Sequence, residues 1–323
     1  MNKIIASLVG MTIGLSPFGA KAQQVAPTTS DSVATVYFIK DINSENLLKI
    51  YDALNRRAKG KVCVKLSFGE KGNPNHLAPA LIEPLVKGLH ATLVECNTAY
   101  QSSRNNNADH LATAEEHGFT AIAPIDIMDS EGDIALPVSG GRHLKEAYIG
   151  KDWLDYDYTV VLSHFKGHPS GGFGGALKNM AIGMQSASGK AWVHTAGKNH
   201  DAANWWGDRA EQDDFLESMA ESAKAIMDHA DDRILYISVA NNLSVDCDCV
   251  AHPKPVEMAD LGIFASLDPV ALDRACVDAV HNSPDHGKIH MEERIASRNG
   301  THILDYAESL GMGTQKYVLI TIE

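Results

Sequence analysis

The sequence predicts an α/β fold: a mostly parallel sheet flanked by helices, in one or two lobes. Three observations carry this. Short apolar runs rich in Val and Ile alternate with helical segments of roughly ten to fifteen residues, the order that βαβ crossovers produce. The 323 residues are 44% hydrophobic, enough to bury one large core or two modest ones. No repeat of fixed period and no clear linker breaks the alternation.

In order, "ATVYFIK" reads as the first strand. Ser44 caps a helix to about Arg57, with Leu47, Leu48, Tyr51 and Leu54 on one face and Gly60 just past its end. "KVCVKLS" is a strand, and a helix follows from about Asn75 to Leu89, bent at Pro84. "ATLVECN", the helical "NADHLATAEEHG" and the strand "AIAPIDIM" continue the pattern, and residues 130–155 read as hairpin and loop. "YDYTVVLS" resumes as a buried strand running into a glycine-rich loop and the helical "GALKNMAIGM". A Trp- and Gly-rich excursion covers 190–208. The helix from about Asp213 to His229 carries a stripe of Phe215, Leu216, Met219, Ala223, Ile226 and Met227, with Asp214 and Glu217 as a capping-box-like start. "RILYISVAN" and "LGIFASL" are strands around a cysteine loop, and Asp268 caps "DPVALDRACVDAVHN", with Pro269 early in that helix. Two short helices and the strand "KYVLITI" close the chain.

The first 22 residues stand apart. Lys3 precedes an apolar run from Ile4 to about Gly14, and Ala20-Lys21-Ala22 follows. Charged start, short apolar centre and small-x-small ending read as a cleaved secretory signal, and the run is short for a membrane-spanning helix. The expected organisation is signal peptide 1–22, tether 23–32 and a single α/β domain 33–323, in an exported protein, periplasmic or secreted, without stable membrane insertion. Loss of Lys3 and Lys21 takes the formal charge from −13 to −15. So acidic a chain repels nucleic acid and anionic membrane, which argues against both as partners.

Two loops carry the candidate chemistry. "VLSHFKGHPSGGFGGALKN" places five glycines between Gly167 and Gly175 and sets His164, Lys166, His168 and Lys178 around them. Strand, glycine turn and helix start together suit an anion, with Gly171, Gly172, Gly174 and Gly175 letting backbone approach it. The glycines equally suit a tight connection that relieves crowding. The P-loop pattern and an intact G-x-G-x-x-G are absent, so a nucleotide is not indicated. His164 or His168 is the candidate general acid or base, and Lys166 or Lys178 the stabiliser of developing negative charge. In "NNLSVDCDCVAHPKP", Cys247, Cys249 and His252 are candidate ligands for zinc, iron or an Fe–S centre. The same cysteines allow free thiols or a bridge to another cysteine. A bridge between two cysteines one residue apart is the disfavoured use. Cys63 and Cys96 read as buried residues or a single bridge.

"HFKGHPSGGFGGALKNMAIG", "NNLSVDCDCVAHPKP" and "DLGIFASLDPVALDRACVDAV", in this order, resemble the family called domain of unknown function 362, whose members are often labelled Fe–S centre proteins. The resemblance implies the α/β fold and an Fe–S centre. Many members insert CxxCxxCxxxCP runs, which this sequence lacks, so a metal here would use Cys247 and Cys249. A local likeness to the lactate racemase family rests on His164 with Ser170, Gly171 and Gly172; Gly174 stands where that family has Lys, and Lys178 comes four residues later.

Three functions are compatible with these residues. The first is a metal-dependent enzyme acting on a small anionic organic substrate by proton transfer or metal-assisted chemistry. The second is a metal or iron–sulfur carrier that meets a redox partner. The third is a small-ligand-binding protein using the Trp-rich excursion, with Trp192, Trp205 and Trp206, as a lid.

Overall fold

A computed structural model describes residues 33–323. The expected signal and tether lie outside the described residues. The elements are β1 (Ala34–Ile39), α1 (Ser44–Ala53), β2 (Val62–Lys65), α2 (Pro79–Gly88), β3 (Thr92–Glu95), α3 (Asn107–Glu116) and β4 (Ile125–Ile127). The hairpin β5 (Asp133–Pro137) and β6 (Glu146–Gly150) precedes β7 (Tyr158–His164), β8 (Lys166–His168), β9 (Gly172–Gly174), α4 (Ala176–Ala181), α5 (Ala187–His194) and α6 (Gln212–Ala230). The chain continues through β10 (Ile234–Ala240), β11 (Gly262–Ser266), α7 (Pro269–Asn282), α8 (Lys288–Ser297), α9 (His302–Ser309) and β12 (Tyr317–Thr321).

Eight strands form one sheet in the order β12-β1-β11-β10-β7-β2-β3-β4. Within it β11 is antiparallel to both neighbours, and every other pairing is parallel. Seven strands therefore share one direction, the mostly parallel sheet that the alternation predicts. Its central strands β2, β7, β10 and β11 are buried at every position, as expected where both faces of a sheet are covered. Along β7, Val160 and Leu162 enter one core and Val161 the other; along β10, Leu235, Ile237 and Val239 alternate with Ile234 and Tyr236. Helices α1, α2 and α3 close the first core through Leu47, Leu85 and Ala114. On the opposite face α4, α6, α7 and α9 contribute Leu177, Leu216, Val277 and Leu304. No helix among the described residues is long and apolar enough to cross a membrane.

Asp268 caps α7 as expected, accepting from the Val270 and Ala271 N–H groups. Other local expectations need correction. Helix α2 begins at Pro79 rather than near Asn75, because Asn73 turns the preceding loop: its side chain accepts from Asn75 N–H and donates to the Cys247 and Val250 carbonyls. Helix α6 has no capping box, since Glu217 is drawn away to Arg142, His143 and His302. Between β7 and α4 the plain turn is instead a hairpin, β8 against β9, with Gly172 at φ 80° in the region that favours glycine. Cys63, Cys96 and Cys276 are buried and unpaired.

Candidate active site

Three neighbouring strands, β7, β2 and β3, end on ionisable residues: His164, Lys65 and Glu95. Their carboxyl ends open on one edge of the sheet, where open α/β folds collect ligands. There they border a cavity of about 300 Å³, at the small end for ligand sites. The two loops singled out from sequence meet on it. His164, Lys166, His168, Gly174, Gly175 and Lys178 line one side, and Cys247 and Cys249, with Asp248 between them, line another.

Asp248 joins the loops. Its carboxylate accepts from His164 Nδ1 at 2.8 Å and from Lys166 Nζ at 2.7 Å, and its side chain is 2% exposed. Burial alone would raise this carboxyl, but His164 and Lys166 hold it well below the usual range. His164 also donates from Nε2 to the Asn241 carbonyl at 2.6 Å. With a carboxylate and a carbonyl as partners, neither ring nitrogen has a lone pair to offer. Both ring nitrogens of His164 are thus spent on protein acceptors, and the side chain ties the end of β7 to the cysteine loop through Asp248.

Glu95 is the second buried carboxylate. It accepts from Phe68 N–H, Arg104 Nη1 and His110 Nε2. Burial opposes its charge, yet Arg104 and Lys65 hold its pKa well below the ordinary value. A carboxyl depressed in the folded state contributes stability at pH values above its unfolded pKa, about 4, and loses it as pH falls through the folded value. Acid unfolding should accordingly begin below about pH 4, and Glu95→Gln should flatten the acid limb followed by circular dichroism. An unchanged limb would remove Glu95 from this role.

The glycines serve the protein more than a guest. Gly171 N–H donates to His168 Nδ1, and a Cβ on Gly172 would lie 2.8 Å from the Gly300 Cα. A Cβ on Gly175 would lie 2.3 Å from Asp273 Oδ1, because that carboxyl caps the start of α4, accepting from the Ala176 and Leu177 N–H groups at 2.7 and 3.0 Å. This corrects the expected anion cradle: the N–H groups are already taken by Asp273. Burial pushes the Asp273 pKa up to about 7. Replacing it by Ala strands two buried donors, each worth about 1–3 kcal/mol, so Asp273→Ala should lower the midpoint of chemical unfolding. A midpoint unchanged from the parent protein would contradict the capping role.

The cavity's charge favours an anion all the same. Lys65, Arg104, Lys166, Lys178, Lys190 and Arg209 face it against Glu95 and Asp248. Most of these cations are committed. Lys65 donates to the Leu66 carbonyl and Asn179 Oδ1, Lys166 to Asp248, Arg104 to Glu95, and Lys190 to the Cys96, Asn97 and Gln185 carbonyls. Arg209 lies over the Trp206 ring, and the Lys178 side-chain amine makes no hydrogen bond or ion pair among the described residues. Asn179 fixes the position of Lys178 by pinning α4 to the sheet edge, donating to the Lys65 and Leu162 carbonyls and Ser163 Oγ. Burial, with Lys166 and Lys65 nearby, lowers the Lys178 pKa to about 7. The amine is thus half neutral near neutral pH.

His168 is buried, and desolvation together with Lys178 holds its pKa well below the ordinary value. Its Nδ1 accepts from Ser170 and Gly171 N–H, which leaves the hydrogen on Nε2. It can donate to a guest and is a poor base.

Cys247 and Cys249 are bonded to each other, contrary to expectation. The loop already holds their Cα atoms 5.2 Å apart, inside the usual bridging range. Their sulfurs and a ring nitrogen of His168 lie within 4.8 Å of one another, a group able to hold a metal ion. While the sulfurs are joined it offers no thiolate, and the His168 Nδ1 lone pair is in use. His252 is not in that group and packs against Gly72. An Fe–S cluster needs about four thiolates, and Cys63, Cys96 and Cys276 are separate buried thiols, so this donor set does not fit one.

Sequence reading missed Lys65, Glu95, Arg104, Lys190 and Arg209. Lys65 and Glu95 each follow directly on an apolar run, Val62 to Val64 and Leu93 to Val94, a signal that could have found them. The Trp-rich excursion supplies a wall: Trp205 donates to the Ala99 carbonyl, Trp206 stacks on it, and His194 is sandwiched between Trp205 and Phe215.

The family model described as "Domain of unknown function (DUF362)" matches residues 62–278. No curated protein matches the chain. Among solved structures, the lactate racemase apoprotein from Thermoanaerobacterium thermosaccharolyticum is 13% identical, with a TM-score of 0.38 over 64% of this chain and 50% of that one. A structural-genomics protein from Thermotoga maritima is also 13% identical, with a TM-score of 0.41 over 74% of this chain and 58% of that one. The chain thus spans about half the length of the racemase.

Proposed function

The chain belongs to the DUF362 family, and from that premise we propose an enzyme, exported to the periplasm or beyond, that binds a small organic carboxylate and moves a proton on it. The observation that carries the reading is Lys178, an amine without a partner in a small cation-walled cavity. A general base works best with a pKa near the working pH, and the value of about 7 meets that requirement. Arg209 and Lys166 attract the carboxylate. His168 Nε2–H, already oriented by its own turn, donates to the oxygen on which negative charge grows.

The test is solvent exchange. Small 2-hydroxy, 2-amino and 2-oxo acids are incubated with the protein in deuterium oxide, and loss of the proton beside the carboxylate is followed by NMR. At least one acid should exchange faster with protein than without it. Failure of every acid in the panel, with the protein folded, would overturn the reading.

A further inference from the structure

We infer that Cys247–Cys249 is a working disulfide that exchanges with small anionic thiols entering the cavity. The inference rests on the reading that the cavity attracts small anions. Both sulfur-bearing residues line the cavity; Cys247 is 3% exposed and Cys249 is half-buried, so the attack is assigned to Cys249, the more open residue of the two.

A purely structural bridge explains this placement poorly. It spans two positions of sequence, so it restrains the unfolded chain far less than a bridge across a long loop. The loop is also held without it. Asn73 binds the Cys247 and Val250 carbonyls, Glu70 N–H binds the Asp248 carbonyl, Gly167 N–H binds the Ser244 carbonyl, and the Asp248 carboxylate is locked to His164 and Lys166.

The surroundings suit exchange. Thiolates are favoured beside cations, and Lys166 and Lys178 share the cavity with the bridge. A His168 ring nitrogen lies within 4.8 Å of both sulfurs, and the ring's remaining hydrogen is on Nε2. The incoming thiolate forms a bond to Cys249 Sγ, the Cys247–Cys249 bond breaks, and the electron pair leaves on Cys247 Sγ. A second thiol then attacks the mixed disulfide, so two thiols become one external disulfide while Cys247 and Cys249 take up two electrons and two protons. The second thiol comes from solution, because Cys63, Cys96 and Cys276 are buried and Cys96, at the cavity wall, has its thiol pKa pushed well up by burial.

The test compares 3-mercaptopropionate with cysteamine, an anionic and a cationic thiol, on the air-oxidised protein. Mixed disulfide and released protein thiol are followed by mass spectrometry after acid quench, with rates compared at equal thiolate concentration. The anionic thiol should react at least about 10-fold faster at low ionic strength, the advantage fading with salt, and Arg209→Gln should reduce it. Equal rates, or no reduction of the folded protein by either thiol, would overturn the inference. Propionate, which carries the charge without the sulfur, separates the two readings by calorimetry. Propionate that binds while the thiols fail refutes the disulfide role alone; propionate that also fails to bind refutes both.

Discussion

Asp248→Asn is expected to destabilise the protein by about 3–5 kcal/mol, the range seen when one partner is removed from a buried ion pair. The reason is the charge left behind. His164 Nδ1 and Lys166 Nζ both point at this carboxylate, at 2.8 and 2.7 Å, and the Asp248 and His164 side chains are each 2% exposed. An amide would offer them one neutral acceptor and aim N–H at one of the two donors. The loss is a large share of the roughly 5–15 kcal/mol by which domains are stable. Urea unfolding would measure it, and adding Lys166→Met should recover part of the loss by removing one stranded cation. A single-variant loss below about 1 kcal/mol, the scale of exposed pairs, would show that the cluster is solvated and does not join the two loops.

That cluster also shows how far the sequence could be read. The alternation of strand-like and helical runs made the sheet legible, because strands covered on both faces read as near-continuous apolar runs, as Val160 to Leu162 in β7 and Ile234 to Ile237 in β10 do. The meeting of the glycine-rich and cysteine loops was legible only on the condition that the strands before them share one sheet and direction, a condition that β7 and β10, as parallel neighbours, meet. The roles inside the site were not. A helix start after glycines looks the same in sequence whether a ligand or Asp273, almost a hundred residues later, fills it. His164 and His168 look alike as letters, yet one spends both nitrogens as donors and the other accepts two N–H groups on Nδ1. Whether Cys247 meets Cys249 depends on the loop path set by Asn73 and Glu70, which no local spacing records.

Lys178→Met should abolish the proposed proton transfer, lowering exchange of the responsive acid by about 10²–10⁴-fold, the usual contribution of a positioned base. Unfolding is not a competing explanation. The folded protein holds the Lys178 pKa down at about 7, chiefly through burial and then through Lys166 and Lys65, so the ammonium form is disfavoured in place. A basic group depressed in this way costs stability at pH values below its unfolded pKa, most fully below the folded value. Removing the charge should therefore leave the unfolding midpoint equal or higher while activity disappears. The pH dependence has a matching sign. Only the neutral amine accepts a proton, so exchange should rise as pH climbs through about 7 and then level. Lys166→Met deletes a neighbouring cation, which should move that rise to higher pH and weaken substrate binding together. Reaction of Lys178 with an amine-selective reagent, followed by mass spectrometry across pH, reads the same titration without any substrate. If that profile placed the amine near 10, the ordinary range for lysine, Lys178 would be a plain anion-binding cation, and the base would have to be sought elsewhere in the cavity.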